Sequence, residues 1–446
     1  MLRPYPNIYD RTPFMTPTNL QAAVEQWVNE HADEVVQLTE ALMRYESLQH
    51  VPTGWEKDAQ VFVAETLRGL NLELDIFEPS EVEGLTEHQA YWPGRDYSNR
   101  PNVVAIWRGE NLQSSKSLMF SSHIDVVAAV EGGRFPAFSP VRQGEKLYGR
   151  GSNDMKGGLA ASIMAVRCLQ ELGIVLQGDV YVESVVDEEM GGSNGTLASR
   201  LRGHNATACI VPEPTGMVVA PAHRGGGMWD IIITGQPGMP FGAEALINPV
   251  YGIGHLIVAI EKWEQARNER TQTHPLYAHA PGLPVLVCRV EAGDFVPGTG
   301  NSVPTSALIE VWAEVYPGTT QDDITNDFIG YIKQVAADVP IIQKCEMDIF
   351  PVIRFLPGSE IPTDSPIIQT VNRHFEQVKQ QAPEVRGAPF ACDVYMFNLY
   401  TDTPCVLLGP RGANAHAIDE WVMMDDLVAL TKIFALTAAD WCNQPK

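Results

Sequence analysis

Six short runs in this chain are almost wholly apolar, LELDIF, NVVAIWRG, SLMFSSHID, DVYVESVV, ACIVPEP and CVLLGP, and they alternate with stretches of helical periodicity. A strand with no alternating polar face has no side to turn to water, so it belongs in a sheet covered on both surfaces. Segments such as MKGGLAASIMAVRCLQELG and DDLVALTKIFALTAADW have the length and pattern to supply that cover. The expected fold class is therefore α/β, a mostly parallel sheet sandwiched by helices. Ahead of the first strand, NLQAAVEQWVNEHADEVVQLTEALMRYESL predicts one long or broken amphipathic helix, with Thr18 after Pro17 as its cap.

Between about 223 and 355 the order changes to strand MWDIIITG, helix YGIGHLIVAIEKWEQARNER, strands PVLVCRVEAG and SALIEVWAEV, helix DDITNDFIGYIKQVAADV and strand CEMDIFPVI. This βαββαβ order is the ferredoxin-like split arrangement, a unit able to bury its own core. A chain of 446 residues exceeds what one core serves, so a second domain is expected. The expected organisation is a catalytic domain in two parts, 1–222 and 356–446, with a lid inserted over 223–355, bounded near PAHRGG and RFLPGSEIPTD.

The formal charge of -24, from 31 basic and 55 acidic residues, argues against nucleic acid or an anionic membrane as partner. Seven cysteines without a CxxC pair, an odd number, point to reduced thiols and a cytoplasmic location. MLRPYPNIYDRTPFMTPTNL has no apolar stretch of signal-peptide length, and no later run reaches the roughly 20 residues a membrane helix needs.

SVVDEEMGG sets Asp187, Glu188 and Glu189 side by side. Like charges this close raise one another's cost of ionisation, so either water or a strong positive charge must face them. In SSHIDVV, His123 and Asp125 lie two apart on one side of an extended chain, where a carboxylate can fix the tautomer of a metal-bound imidazole. Asp154 sits in YGRGSNDMKGG, Glu213 in ACIVPEPTG and His416 in CVLLGPRGANAHAIDEWV. Taken singly, each reads more simply as a satisfied strand-end histidine, a helix N-cap, a solvated acid or a bystander. Taken together they reverse those odds, because the carboxyl ends of the strands in an open α/β sheet share one ligand-binding edge. Two imidazoles with several carboxylates suit a zinc-like ion, and the donors suffice for two ions bridged by one carboxylate. Metal charge is then what faces the acidic triplet.

The order of these motifs over nearly the whole chain resembles the dinuclear zinc hydrolases that include acetylornithine deacetylase, succinyl-diaminopimelate desuccinylase, aminoacylase and glutamate carboxypeptidase. The resemblance implies that His123 and Glu213 ligate one zinc, with Asp125 as the orienting partner of His123. It implies Asp154 as the bridge, Glu189 and His416 as ligands of the second zinc, and Glu188 as general base. Two Zn2+ ions, replaceable by Co2+ or Mn2+, a homodimer formed through the lid, and a small N-acyl amino acid, dipeptide or related amide as substrate follow from the same resemblance. Glu188 would take a proton from a water whose pKa an ion lowers to about 7, and pass it to the leaving amine.

Two departures from that family's pattern bear on substrate. Met239 in ITGQPGMPFGAEALINP stands where members usually carry a histidine that helps hold the oxyanion across the dimer. A thioether donates no hydrogen bond, and loss of one such donor costs about 3 kcal/mol. His223 and His255 are near in sequence and are the available substitutes. Asn301 and Pro304 of GNSVP match the lid segment, but Glu314 aligns with an arginine often found in the next strand. That reversal points to a substrate with a positive or neutral group there. Arg224 and Arg354 are further anion-binding candidates, with a structural role as the plainer reading of each. The runner-up function keeps fold and metal but not ordinary hydrolysis, as a small-molecule binding protein; a retained Glu188 weighs against it.

Overall fold

The computed structural model describes residues 17–446 apart from 112–113, 193, 239–245 and 294–302. Helices α1 (Pro17–Glu30), α2 (Ala32–Met43) and α3 (Lys57–Gly69) lead into β1 (Glu73–Phe77), β2 (Asn102–Trp107) and β3 (Leu118–His123). A hairpin of β4 (Val141–Gln143) and β5 (Lys146–Tyr148) precedes α4 (Gly157–Glu171), β6 (Val180–Val185), α5 (Asn194–Leu201) and β7 (Ala208–Val211). Then come β8 (Ala222–Thr234), α6 (Pro249–Arg270), β9 (Val285–Ala292), β10 (Ser306–Val315), α7 (Gln321–Asp338) and β11 (Glu346–Pro351). The chain returns through β12 (Ser359–Glu360), α8 (Pro366–Lys379), β13 (Ala388–Ala391), α9 (Tyr395–Asn398) and β14 (Cys405–Leu407). It closes with β15 (Gly412–Ala413), β16 (Trp421–Met423) and α10 (Met424–Trp441).

The main sheet has the order β1-β2-β6-β3-β7-β14. Strands β6, β3, β7 and β14 are parallel, while β2 and β1 add an antiparallel edge. Every residue of β3 and β7 is buried, as strands inside a sheet covered on both faces must be. On α4, Leu159, Ile163 and Val166 recur at helical spacing and are buried. Phe120 of β3 meets Phe434 of α10 with ring centroids 5.1 Å apart. Burying each such side chain stabilises the fold by about 2 kcal/mol. The N-terminal helix is broken at His31, whose ring stacks on Trp27 at 4.0 Å. It starts at Pro17, so the expected Thr18 cap is corrected; proline suits a first helical turn because its missing N–H would have no partner there.

The inserted elements form a second sheet of order β11-β8-β10-β9, antiparallel throughout. Helices α6 and α7 cover it around a separate core that includes Trp229, Ile231, Ile253, Trp263 and Phe328. Asn248 accepts from Val250 N–H ahead of Pro249 to start α6, and Thr320 and Asp323 form a capping box on α7. Strand β8 joins the two halves of the molecule: its first residues pair with β12 and β13, the rest with β10 and β11. At that junction Gly225 cannot be replaced, because a Cβ would strike the backbone of Leu356 and Gly358. Among the described residues no helix is long and apolar enough to cross a membrane.

Candidate metal centre

The parallel register sets the site. His123 closes β3, the strand between β6 and β7, and lies opposite Val185, the last residue of β6. Carboxylates therefore reach His123 from both neighbouring strand ends. Its Nε2 lies 3.4 Å from Glu213 Oε1, beyond β7, and 4.0 Å from Glu188 Oε2, beyond β6. Asp154, in the turn between β5 and α4, places Oδ1 3.1 Å from that nitrogen. Its other oxygen, Oδ2, lies 3.2 Å from Nε2 of His416, which in turn is 2.7 Å from Glu189 Oε2. The five expected ligands and Glu188 are thus gathered at one edge. Asp154 does not cap α4; its carboxylate is spent on the two imidazoles.

The donor set fits divalent ions. Ligands sharing a tetrahedral ion with bonds of about 2.0–2.2 Å stand roughly 3.3–3.6 Å apart, close to the 3.4, 3.1 and 3.2 Å spacings of His123–Glu213, His123–Asp154 and His416–Asp154. Two overlapping groups, His123 with Glu188 and Glu213, and His123 with Asp154 and Glu189, have all donor atoms within 4.8 Å of one another. Without a cation the cluster cannot ionise fully. Burial, reinforced by Asp154, pushes Glu213 up to about 8 and Glu189 up to about 7, and burial holds Glu188 well above the carboxylate range. Asp154 and Glu189 raise His416 to about 11. Burial opposes charge on His123, yet Asp154 and Glu213 still hold it well above its ordinary value. Burial would raise Asp154 too, but the two imidazoles keep it far below the usual range. An ion competes for these same lone pairs by displacing the imidazole protons.

Asp125 orients His123 by a different atom from the one expected. His123 Nδ1 lies 2.9 Å from the Asp125 backbone carbonyl and 3.6 Å from its carboxylate. The carbonyl accepts from Nδ1–H, leaving Nε2 free for a metal. The Asp125 carboxylate instead accepts from the N–H groups of Glu188 (3.1 Å) and Glu189 (3.0 Å), fixing the acidic turn.

The acidic triplet is divided, which corrects the expectation that metal charge faces all of it. Asp187 has a left-handed backbone (φ 71°), and its buried carboxylate pairs with Arg95 and Arg100 and accepts from Tyr97 O–H at 2.8 Å. Arg100 also pairs with buried Glu56 at 2.6 Å. Only Glu188 and Glu189 turn to the ligand cluster. Asp393 is a residue the sequence reading missed: it is buried, accepts from Thr196 O–H, and its charge helps raise Glu188. A single acid within the apolar run PFACDVYMF is the signal that could have found it.

The substrate candidates fare differently. Arg224 is buried and committed: Nη1 bonds Glu314 Oε2 (2.6 Å) and Nη2 the carbonyls of Ala280 (2.7 Å) and Gly282 (2.9 Å). That pair corrects two expectations, because Arg224 is not free for an anion and Glu314 is not a free carboxylate awaiting a cationic substrate. Arg354 gives Nη2 to the Gly192 carbonyl and the Tyr395 hydroxyl, just beyond the acidic turn. Buried His223 lies between the Arg224 carbonyl (2.8 Å) and Ser359 Oγ (2.9 Å), and burial lowers it to about 4, so it does not replace the missing lid donor. His255 is exposed on α6. Asn301 and Met239 lie outside the described residues.

The chain matches the profile of peptidase family M20/M25/M40 over residues 119–440. It is 26% identical to an N-formyl-4-amino-5-aminomethyl-2-methylpyrimidine deformylase of Bacillus subtilis (strain 168), over 95% of this chain and 98% of that one. Among solved structures it is similar in fold to the di-peptidase Dug1p of Saccharomyces cerevisiae, with TM-score 0.77 and 14% identity over 97% of this chain and 100% of that one. It is also similar to human carnosine dipeptidase 1, with TM-score 0.75 and 16% identity over 95% of this chain and 100% of that one.

Proposed function

We propose, from the premise that this chain belongs to peptidase family M20/M25/M40, that it is a dinuclear metal amidohydrolase of small N-acyl compounds. As a member it is a metal-dependent hydrolase acting on C–N amide bonds. The observation that carries the two-ion reading is Asp154, with one oxygen 3.1 Å from His123 and the other 3.2 Å from His416. His123, Asp154 and Glu213 would hold one ion, His416, Asp154 and Glu189 the other, with Zn2+ favoured by the donors and Co2+ or Mn2+ as substitutes. When bound, such ions lower the pKa of water to about 7 and polarise a carbonyl oxygen.

Glu188 stands farther from His123 than Asp154 or Glu213 does, at 4.0 Å, which suits a base better than a ligand. It takes the proton of the attacking water and returns it to the leaving amine. Asp125 holds it over the site through its backbone N–H. The same residue weighs against a purely binding role. A cavity of about 240 Å³ has in its wall Pro214, the residue after Glu213, and Gly412, which lies against Asn153. His279, Arg386, Pro389 and Phe390 are among its other lining residues. The named deformylase relative supports a short acyl group, formyl above all, on a small amine.

For the lid, taken as 223–355, we propose pairing with a second copy. Strand β9 is an edge strand with seven of its eight residues exposed, Leu286 and Val290 among them, and Tyr251 and Val258 of α6 are also exposed. The seven free cysteines support a cytoplasmic location.

Glu188→Gln tests the function. Bound zinc should stay near the wild-type amount while turnover disappears in a screen of N-formyl, N-acetyl and N-succinyl amino acids, formylated aminopyrimidines and dipeptides. Undiminished turnover would remove Glu188 from its role.

A further inference from the structure

One further buried carboxylate lies beside the site. Glu420 is 2% exposed and sits four residues after His416, at the foot of β16. Its Oε2 accepts from Arg150 Nη1 (2.6 Å) and Gly151 N–H (2.9 Å), and its Oε1 from Asn153 N–H (2.9 Å) and Asp154 N–H (3.1 Å). Its backbone carbonyl accepts from Gly149 N–H at 2.8 Å. All five donors come from the segment 149–154 that delivers Asp154. Each carboxylate oxygen already accepts two bonds, so Glu420 is a poor candidate ligand.

The loop that Glu420 terminates has little else to hold it. Asn414, His416 and Asp419 have left-handed backbones (φ 62°, 62° and 56°), and the His416 side chain is 55% exposed. Besides the loop's own turns, Arg150 Nη2 reaches the Ala417 carbonyl (3.2 Å) and Asp419 accepts from Phe135 N–H (3.0 Å). Arg150 thus bridges the loop and Glu420. His123 and Glu213, by contrast, extend from paired strands and make none of these contacts.

We propose that Glu420 is a positioning residue that sets His416 against Asp154, and so controls affinity for the second of two metal ions more than for the first, which it reaches only through Asp154. This rests on the two-ion reading above. Substitutions behind metal ligands typically cost 10–100-fold in metal affinity, and here the larger loss falls on the second site.

The test is calorimetric titration of metal-stripped protein with Zn2+ and Co2+. Wild type should bind two ions. Glu420→Gln, which turns an amide NH2 toward backbone N–H groups, should bind the second ion at least about tenfold more weakly and the first with a clearly smaller loss. Excess metal should restore its turnover, and Glu420→Asp, which keeps the charge, should fall between the two. If Glu420→Gln does not fold, Arg150→Lys, which loses the guanidinium fork joining Glu420 to Ala417, should show the same selective loss. Two ions bound with wild-type affinity by Glu420→Gln, or by Arg150→Lys where that variant stands in for it, overturn the proposal alone. Equal weakening of both ions also overturns it. Fewer than two ions on the wild type overturns the two-ion reading together with it.

Discussion

The two imidazoles of the site are held in opposite ways. His123 is 1% exposed and closes a strand paired on both sides, with its Nδ1 on a backbone carbonyl. His416 is half exposed, sits in a loop with three left-handed residues, and depends on contacts from another segment. The sheet builds one half of the site in advance, while the other half is assembled by buried polar contacts. Preorganised ligands lose less freedom on binding, so the His123 half should be the tighter and the more demanding to disturb.

Substitutions can break that asymmetry in order of size. His123→Ala should remove the first ion and leave only the loosely held one, so that dialysed protein retains less than one ion and turnover falls by about 10³-fold or more, the scale expected when a group polarising the reacting carbonyl is lost; His416→Ala should keep one ion after the same dialysis, by metal analysis. Equal stoichiometry in the two variants would contradict the asymmetry. Next, Asp187→Asn leaves Arg95 and Arg100 facing an uncharged partner in a buried network, and should destabilise the fold by about 3–5 kcal/mol in urea unfolding. A loss below 1 kcal/mol would mean that the acidic turn is not anchored there. A weak chelator should then strip the ions in two stages, with the loop-held ion leaving first; a single stage would argue for equivalent sites. Smallest, Asp419→Ala removes the bond from Phe135 N–H and should weaken only the second ion by about fivefold, the equivalent of about 1 kcal/mol.

Much of this was legible in the chain because the physics was local. Runs such as SLMFSSHID and ACIVPEP allow only a doubly covered sheet, and parallel strands bring their ends to one edge, so His123, Glu188, Glu189 and Glu213 were found together. The residues that escaped act across distance. Asp187 parts from Glu188 because a left-handed turn breaks the strand period, and its arginine partners come some 90 positions earlier. Glu314 looked like a charge reversal until register placed it opposite Gly226, two residues from Arg224, on the adjoining strand. Glu420 reads as one more acid in AIDEW; only the close approach of the Asp154 turn gives it donors.

The central claim is that one carboxylate, Asp154, is shared between two metal ions held by unlike halves of the molecule. Anomalous diffraction at the zinc edge, on crystals grown with zinc, tests it most directly. The account predicts two peaks roughly 3.5–4 Å apart, one beside His123 and Glu213 and the other beside His416 and Glu189, with Asp154 between them. A single peak at saturating zinc, or two peaks with Asp154 bound to neither or only one, would contradict it.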